Sequence, residues 1–347
     1  MINWGIVGTG RIAAVFAAAL HAGKSGRPLL VAGRDPERTR NFAAVNRIPE
    51  TAATPRELFS DPRVDAVYIA TPHPFHAELS IAALTAGKPV LCEKPMALDP
   101  AGIDTVLGYA RRTGKLFVEG YMYRWHPQTE KLRRLLREKA VGEIHLIESA
   151  FGFTAPYDPH DRLFDPALGG GAIRDIGGYP LSMAILAASA ALGEEFAAPD
   201  RFVCGGVRAV GNVDLTGCAV AVWKERIVAQ LSCSIGAALN QELRIHGSAG
   251  RIVVPNPWVC SRTAPEPGLI RIERKSGTEE IRVPADRTSF GYEADGFARL
   301  LDSGAHEAVF APFTTAESRE VNRLLCIWRT AAVTPREPEL TSPESPR

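Results

Sequence analysis

The residue best placed to do chemistry is Lys94, which follows the apolar run Val90-Leu91-Cys92 and stands between Glu93 and Pro95. A lysine at the end of a buried run is partly desolvated. Its ammonium can hydrogen-bond a substrate hydroxyl or carbonyl, or lie beside a phosphate or ribose. The bland alternative is a solvated loop lysine. A second chemical feature lies near the start, where Gly8-Thr9-Gly10-Arg11-Ile12-Ala13 fits G-x-G-x-x-A. In that pattern the first glycine permits a tight turn, the second lets a pyrophosphate approach the backbone, and the small last residue lets helix and strand pack closely. The amides that open the helix would hold phosphate. Its place directly after a strand favours a dinucleotide over a plain tight turn.

The cofactor type hangs on Gly33-Arg34-Asp35-Pro36. Asp35 could grip the hydroxyls of an adenosine ribose, which favours NAD(H). It could equally be a helix N-cap followed by proline at the first helical position. The second reading frees Arg34, whose planar fork suits a 2′-phosphate. NADP(H) is therefore the expected cofactor, with NAD(H) as the alternative.

These groups need elements to hold them. Strand patterns at 2–7, 28–32, 66–70, 89–92 and 116–119 alternate with helical ones at 11–22, 36–46, 55–59, 76–86 and 100–113. Such alternation predicts an α/β domain, a Rossmann-type doubly wound parallel sheet. Ala70-Thr71-Pro72, Glu93-Lys94-Pro95 and Glu119-Gly120-Tyr121 then fall at the carboxyl ends of strands, where such sheets bind ligands. After a linking helix at 128–139, strands at 144–153, 202–210, 218–223, 227–234, 242–246, 250–254, 269–274 and 280–283 predict a largely antiparallel open sheet in an α+β domain. Helices at 179–190, 292–303 and 315–330 would cover one face of it. The other face is left for a partner, so a homodimer or homotetramer through this sheet is expected. The expected division is a dinucleotide-binding domain at 1–122, a substrate-binding and oligomerisation domain at 123–333, and a disordered proline-rich tail at 334–347. A length of 347 residues suits two cores.

Forty Lys plus Arg against 39 Asp plus Glu leave a net charge of +1, so nothing draws the chain as a whole to nucleic acid or an anionic membrane. No uninterrupted apolar run approaches the roughly 18 residues of a spanning helix. The six cysteines are scattered without a C-x-x-C pair, and the apolar segment at 12–20 follows a strand and a glycine turn rather than a basic leader. Reduced thiols and a cytoplasmic location are expected. His73 and His76 have H-x-x-H spacing, but no further cluster completes a metal site, and no metal is expected.

The run Gly87-Lys88-Pro89-Val90-Leu91-Cys92-Glu93-Lys94-Pro95 closely resembles the signature of the Gfo/Idh/MocA family, the relatives of glucose-fructose oxidoreductase and inositol dehydrogenase. The resemblance extends through the glycine turn, Ala70-Thr71-Pro72 with His76, Tyr123-Arg124-Trp125-His126-Pro127, and Gly169-Gly170-Gly171-Ala172 leading to Asp175 and Tyr179. It implies that Lys94 assists hydride transfer between a substrate carbon and a nicotinamide ring. It also implies that Asp175 and Tyr179, four residues apart, lie near the reacting oxygen. The tyrosine version, with Tyr292-Glu293-Ala294 before the late helix, looks like the dimeric dihydrodiol dehydrogenase and D-xylose dehydrogenase branch, which is typically NADP-dependent.

On this footing the expected catalytic residues are Lys94, Tyr179 and Asp175. A spacing of four puts Asp175 and Tyr179 on one helix face if the turn is already helical. A phenol near an ammonium can have a lowered pKa and exchange a proton with the substrate oxygen. Taken alone, the two would read as a helix cap and a half-buried aromatic. Expected cofactor contacts are Gly8, Thr9, Gly10, Arg11, Ile12, Arg34, Thr71, Pro72, His76, Glu93 and Lys94. Expected substrate contacts are Tyr121, Arg124, His126, Arg162, Asp175 and Tyr179, with Asp165 in the same loop as Arg162. Interdomain salt bridging is the competing reading for Arg124, His126, Arg162 and Asp165. The implied activity is hydride transfer between NADP(H) and a secondary or hemiacetal alcohol of a sugar, polyol or cyclic diol. A cofactor-binding sensor without turnover is one rival, and an NAD-dependent glycosidase of the same family another. A sensor has no chemical need for both Lys94 and Tyr179.

Overall fold

In the computed structural model, which describes residues 1–208, 211–308 and 312–334, the alternating pattern of the first third folds as two-layered wrapping around one sheet. In order come β1 (Ile2–Val7), α1 (Arg11–Ala22), β2 (Gly26–Ala32), α2 (Pro36–Val45), β3 (Glu50–Ala52), α3 (Pro55–Ser60), β4 (Ala66–Ile69), α4 (His76–Thr85), β5 (Val90–Glu93), α5 (Pro100–Thr113) and β6 (Phe117–Gly120). The strand order is β3-β2-β1-β4-β5-β6, with every neighbouring pair parallel. The order reverses between β1 and β4, so the carboxyl ends of β1, β4 and β5 open onto one crevice. Three helices start in the same way. Asp35, Thr54 and Asp99 each accept a backbone N–H with their side chains, and proline follows at the head of α2, α3 and α5. The short edge strand β3 escapes sequence reading because its three residues carry no apolar alternation.

The second sheet is built from β7 (Ile144–Gly152), β8 (Arg201–Arg208), β9 (Asp214–Trp223), β10 (Ile227–Ser234), β11 (Leu243–Gly247), β12 (Gly250–Val254), β13 (Gly268–Arg274) and β14 (Gly277–Val283). Helices α6 (Pro127–Arg137), α7 (Gly178–Leu192) and α9 (Thr315–Val333) accompany it, whereas α8 (Ser289–Asp302), expected over this sheet, packs on α1 and β2 of the first half instead. The strand order is β14-β13-β12-β11-β7-β10-β9-β8, and only β7 with β10 runs parallel. Helices α7 and α9 cover one face. The other is open, with Val203, Val207 and Val220 left 69%, 60% and 40% exposed. The expected strand at 202–210 is formed as far as Arg208, and its last two residues lie outside the described ones, as does the tail beyond Thr334.

Helix α7 is buried all round, from residue 178 to 190. The helical stretch Pro166–Leu192 has a mean hydropathy of 1.2, long and apolar enough to cross a membrane, yet 89% of its window is inside the fold. It is a core helix, and polar interruptions hid its length from a count of unbroken apolar runs.

Two cores form, but not one per sheet. One lies between the first sheet and the helices that carry Leu58, Leu84 and Leu107. The other begins on the opposite face with Trp4, Phe16 and Tyr68 and continues through Tyr121, Tyr123 and Tyr179 to Trp258 and Trp328. Polar ties reinforce this seam. Glu119 at the end of β6 accepts from Met96 N at 2.8 Å, from Asn322 Nδ2 at 2.8 Å and from the Ser318 hydroxyl.

Three expected substrate contacts belong to the seam instead. The Arg124 guanidinium is buried and donates to Ser182 O at 2.9 Å, Pro312 O at 2.7 Å and Glu317 Oε1 at 2.6 Å. His126 accepts from Gln128 N at the head of α6 and meets Ser261 Oγ at 3.0 Å. Burial holds its pKa down at about 4. Tyr121 is fully buried, packed edge-on against Tyr179, with its hydroxyl pressed to Gly178. All three follow the last strand of the first sheet, where the chain dives beneath α7 and α9 rather than along the crevice.

Removing one partner of a buried ion pair costs about 3–5 kcal/mol, because the other charge stays buried. Glu317→Ala is expected to lower the unfolding free energy by about that amount, read as a fall in the urea midpoint at unchanged slope. A loss below about 1 kcal/mol would mean that the two carbonyl partners of Arg124 suffice.

Candidate active site

The glycine turn has the shape an anion needs. Gly8 sits at φ 119°, and a Cβ there would lie 2.5 Å from Ala70 O. Gly10 caps α1 in an extended conformation with no side-chain cap, and a Cβ on it would meet nothing within 4 Å. The first amides of α1 therefore face open space. Across the crevice, Thr71 Oγ1 is buried without a hydrogen-bond partner. Free helix amides, an unfilled cradle and an orphaned hydroxyl fit the phosphates and sugar of a dinucleotide. Arg11 and Ile12 open α1, with Arg11 exposed and Ile12 partly buried, and Pro72 leads the 3-10 turn His73–Phe75.

Of the two roles open to Asp35, the cap is formed: its Oδ1 accepts from Arg38 N at 2.9 Å. Arg34 is exposed, its guanidinium 5.7 Å from the Phe75 ring centre. A second guanidinium joins it, since Arg38 donates to Thr9 O at 3.2 Å. Sequence reasoning missed Arg38, which lies in the first turn of α2 just past the Asp35 cap. His76, expected to touch the cofactor, instead spans two loops: Nδ1 lies 2.8 Å from Pro95 O and Nε2 2.8 Å from Thr71 O. Buried between these two carbonyls and able to donate to one of them, the ring braces the crevice wall.

Lys94 ends β5 and meets a turn from the second half of the chain. Its Nζ donates to Asp175 O at 2.5 Å, lies 3.7 Å from Asp175 Oδ1 and stands 5.3 Å from the Tyr179 ring centre. Arg162 donates to Asp175 Oδ1 at 3.0 Å. Asp165 is turned away, capping Ala167 N at 2.8 Å. The turn Ile173–Gly177 is π-helical and runs straight into α7, which a spacing argument based on an ordinary helix does not foresee. Asp214 of β9 fixes its start by accepting from Ile173 N at 2.5 Å.

The electrostatics follow from burial and from these neighbours. Burial alone would raise the Asp175 carboxyl, but Lys94, Arg162 and His73 outweigh it and bring the pKa to about 2. Glu93 is pushed up by burial, with Lys94 opposing, and accepts from Tyr68 Oη at 2.6 Å. Tyr179 corrects an expectation: burial and the charge of Glu93 raise its pKa instead of Lys94 lowering it. The reason is geometric. The ammonium lies over the ring, while the hydroxyl points to Met122 Sδ at 3.7 Å. Arg262, from the loop before β13, acts on both Glu93 and Tyr179 and went unnoticed in the sequence for want of a motif.

Residues 2–121 match the oxidoreductase family with an NAD-binding Rossmann fold, Gfo/Idh/MocA, and residues 129–253 match the Gfo/Idh/MocA C-terminal domain. This chain belongs to the Gfo/Idh/MocA oxidoreductase family. It is 30% identical over 321 residues to the trans-1,2-dihydrobenzene-1,2-diol dehydrogenase of Xenopus laevis, covering 91% of this chain and 94% of that protein. The human enzyme of the same name is 29% identical over 323 residues, covering 91% and 93%. A 3-ketoreductase from Actinomadura kijaniata, solved with NADP and TDP-benzene, matches with a TM-score of 0.82 at 28% identity, covering 95% of this chain and 98% of that one.

In this oxidoreductase the folded pKa of Asp175, about 2, lies below its ordinary 3.8, so folding favours the carboxylate. Its contribution is complete above pH 4 and is lost as the pH falls through 2, a difference of about 2 kcal/mol. Asp175→Asn is expected to be less stable than the wild type by about that amount at pH 6, with the gap closing towards pH 2. Urea titrations at both ends of the range check it, and a gap independent of pH would place the stabilisation elsewhere.

Proposed function

We propose that this protein transfers hydride between NADP(H) and a secondary or hemiacetal alcohol of a sugar, polyol or cyclic diol. The observation that carries the reading is the Lys94 ammonium, held at 2.5 Å by Asp175 O and facing the Tyr179 ring, at the strand edge that also carries the glycine turn. When bound, the nicotinamide supplies the two-electron chemistry. Gly8, Thr9, Gly10 and the head of α1 hold the pyrophosphate, with Thr71, Pro72 and Glu93 along the wall of the crevice. Lys94 stabilises the negative charge that develops on the substrate oxygen. Asp175 keeps Lys94 in place and, with Arg162, orients neighbouring hydroxyls. Tyr179 exchanges the hydroxyl proton. Its phenol is neutral in the resting protein, the state that donates to a carbonyl in the reductive direction.

Arg34 and Arg38 support the choice of NADP(H), since two guanidiniums flank the end of β2 while Asp35 is spent as a cap. The solved 3-ketoreductase binds NADP, and the curated relatives are diol dehydrogenases, which agrees with both halves of the reading. A panel of aldoses, inositols and diols with NADP, followed at the NADPH absorbance, tests it directly. Tight cofactor binding without turnover on any of them would favour the sensor. Lys94→Ala is expected to cut turnover by about 10²–10⁴-fold while cofactor affinity changes little. Arg34→Ala is expected to weaken NADP about tenfold or more and NAD hardly at all. Equal losses for both cofactors would remove Arg34 from the 2′-phosphate.

The proposed division falls near residue 122, with the second part serving substrate binding and self-association. Val203, Val207 and Val220 on the open face of the second sheet support a homodimer or homotetramer there. Val203→Glu is expected to lower the mass seen by light scattering to that of the monomer, and an unchanged mass would exclude this face. A cytoplasmic location agrees with the lack of disulfides among the described residues.

A further inference from the structure

Glu293 on α8 has no part in the chemistry above, and its situation is costly. It is fully buried, and neither carboxyl oxygen has a hydrogen-bond partner. Its place is defined by Gly120. A Cβ on that glycine would lie 3.6 Å from Glu293 Oε1, 3.6 Å from the Glu93 Cα and 3.2 Å from Cys92 O. The orphaned carboxyl therefore lies against the end of β5, beside Glu93 and one residue from Lys94. One oxygen of Glu93 is taken by the Tyr68 hydroxyl.

Around the pair, Tyr68 comes from β4, Cys92 from β5, Lys94 from just after it, Tyr121 from the turn after β6, Arg162 from the loop before the glycine run, Tyr179 from α7 and Arg262 from the loop before β13. Helix α1, which packs on α8, buries only apolar side chains, among them Phe16. The 3-10 turn Met122–Trp125 sets Trp125 against Gly296, and its Arg124 is spent on Glu317. Among the described residues no cation lies within ion-pair distance of Glu293. Burial and the charge of Glu93 push the Glu293 carboxyl up, and burial pushes Glu93 up. A charge on Glu93 therefore works against a second charge on Glu293.

We infer that the half-buried Glu93 and the buried Glu293 carboxyls form a proton store coupled to the oxidation state of the bound nicotinamide cofactor. The oxidised ring carries one positive charge and the reduced ring none. At the carboxyl edge of β4 and β5, where such a sheet binds its ligand, that charge favours the ionised pair, and its removal favours uptake of a proton. Oxidising an alcohol moves two electrons and one hydrogen nucleus to the cofactor as hydride and frees the hydroxyl proton. Alcohol and oxidised cofactor thus give carbonyl compound, reduced cofactor and one proton, which the pair can hold before it reaches solvent. Only this last step rests on the proposed reaction. The coupling itself needs cofactor binding alone.

The test uses the whole protein without substrate, titrated with NADP and, separately, with NADPH in weakly buffered solution near pH 7 while proton release is measured. The 2′-phosphate is common to both cofactors and cancels. NADP is expected to release roughly half a proton per site more than NADPH. The affinity for NADP relative to NADPH is expected to rise about three- to tenfold between pH 6 and pH 8. Glu293→Gln, which keeps the shape and removes the titration, should flatten both, and Glu93→Gln is the second variant should the first not fold. Equal proton counts for the two cofactors in the wild type would overturn the coupling. An undiminished difference in the folded Glu293→Gln variant would overturn the assignment. Failure of the proposed reaction would appear separately, as absent turnover with every alcohol while the proton difference persists.

Discussion

The ammonium of Lys94 has to be held still while almost out of water. Its side chain is 12% exposed, and a cation taken that far out of water is costly unless opposite charge and hydrogen-bond acceptors surround it. The acceptors come from far along the chain. Asp175 supplies both a carbonyl and a carboxylate, and Tyr179 supplies a ring face. Lys94 is fixed to the first sheet and its partners to the helix over the second, so the site exists only when the two halves are docked. A single apolar cluster running from Trp4 to Trp328 is the physical counterpart of that requirement. Separable cores would let the halves move apart and leave the ammonium unsatisfied.

The same constraint reaches into the second sheet through backbone geometry. Asp175 can face Lys94 because the π-helical turn offers its carbonyl, and the turn begins where Asp214 binds Ile173 N. Gly171 lies at φ 111° just before it, and a Cβ there would overlap the Asp214 carboxylate. The glycine run that resembles a family signature thus has a local cause. A strand of the second sheet must approach the backbone closely enough to hold the turn, and only glycine leaves room.

What could be read from the sequence follows from which forces are local. Periodicity, proline after a cap, and glycine between strand and helix are short-range, and they identified the parallel sheet, the cap at Asp35 and the turn at Gly8. The antiparallel character of the second sheet was equally legible from its hairpin-like returns. The parallel pairing of β7 with β10 joins residues some eighty apart and leaves no local trace. The misjudged residues share this origin. Arg124, His126 and Tyr121 follow a strand of the right kind, but whether the chain next lines the crevice or passes beneath α9 depends on packing that involves Pro312 and Glu317. Arg38 and Glu293 were overlooked because their meaning comes from neighbours brought in by the fold, Thr9 for one and Gly120 with Glu93 for the other.

The charges at the site also bear on what it accepts. Lys94 and Arg162 carry two positive charges, and both lie against the single carboxylate of Asp175. Two cations converging on one carboxylate leave Lys94 with donor capacity for a further oxygen at the strand edge. A neutral hydroxyl compound needs that in its transition state, when negative charge builds on oxygen, and does not need it in the ground state, so the charge acts on rate more than on binding. Tyr179 cannot supply the same help as a standing phenolate, since burial and Glu93 keep its proton on. It can only pass a proton while the cation beside it holds the oxygen. The division of labour between Lys94 and Tyr179 is thus set by surroundings: Asp175 fixes where the ammonium stands, and burial with Glu93 keeps the phenol neutral.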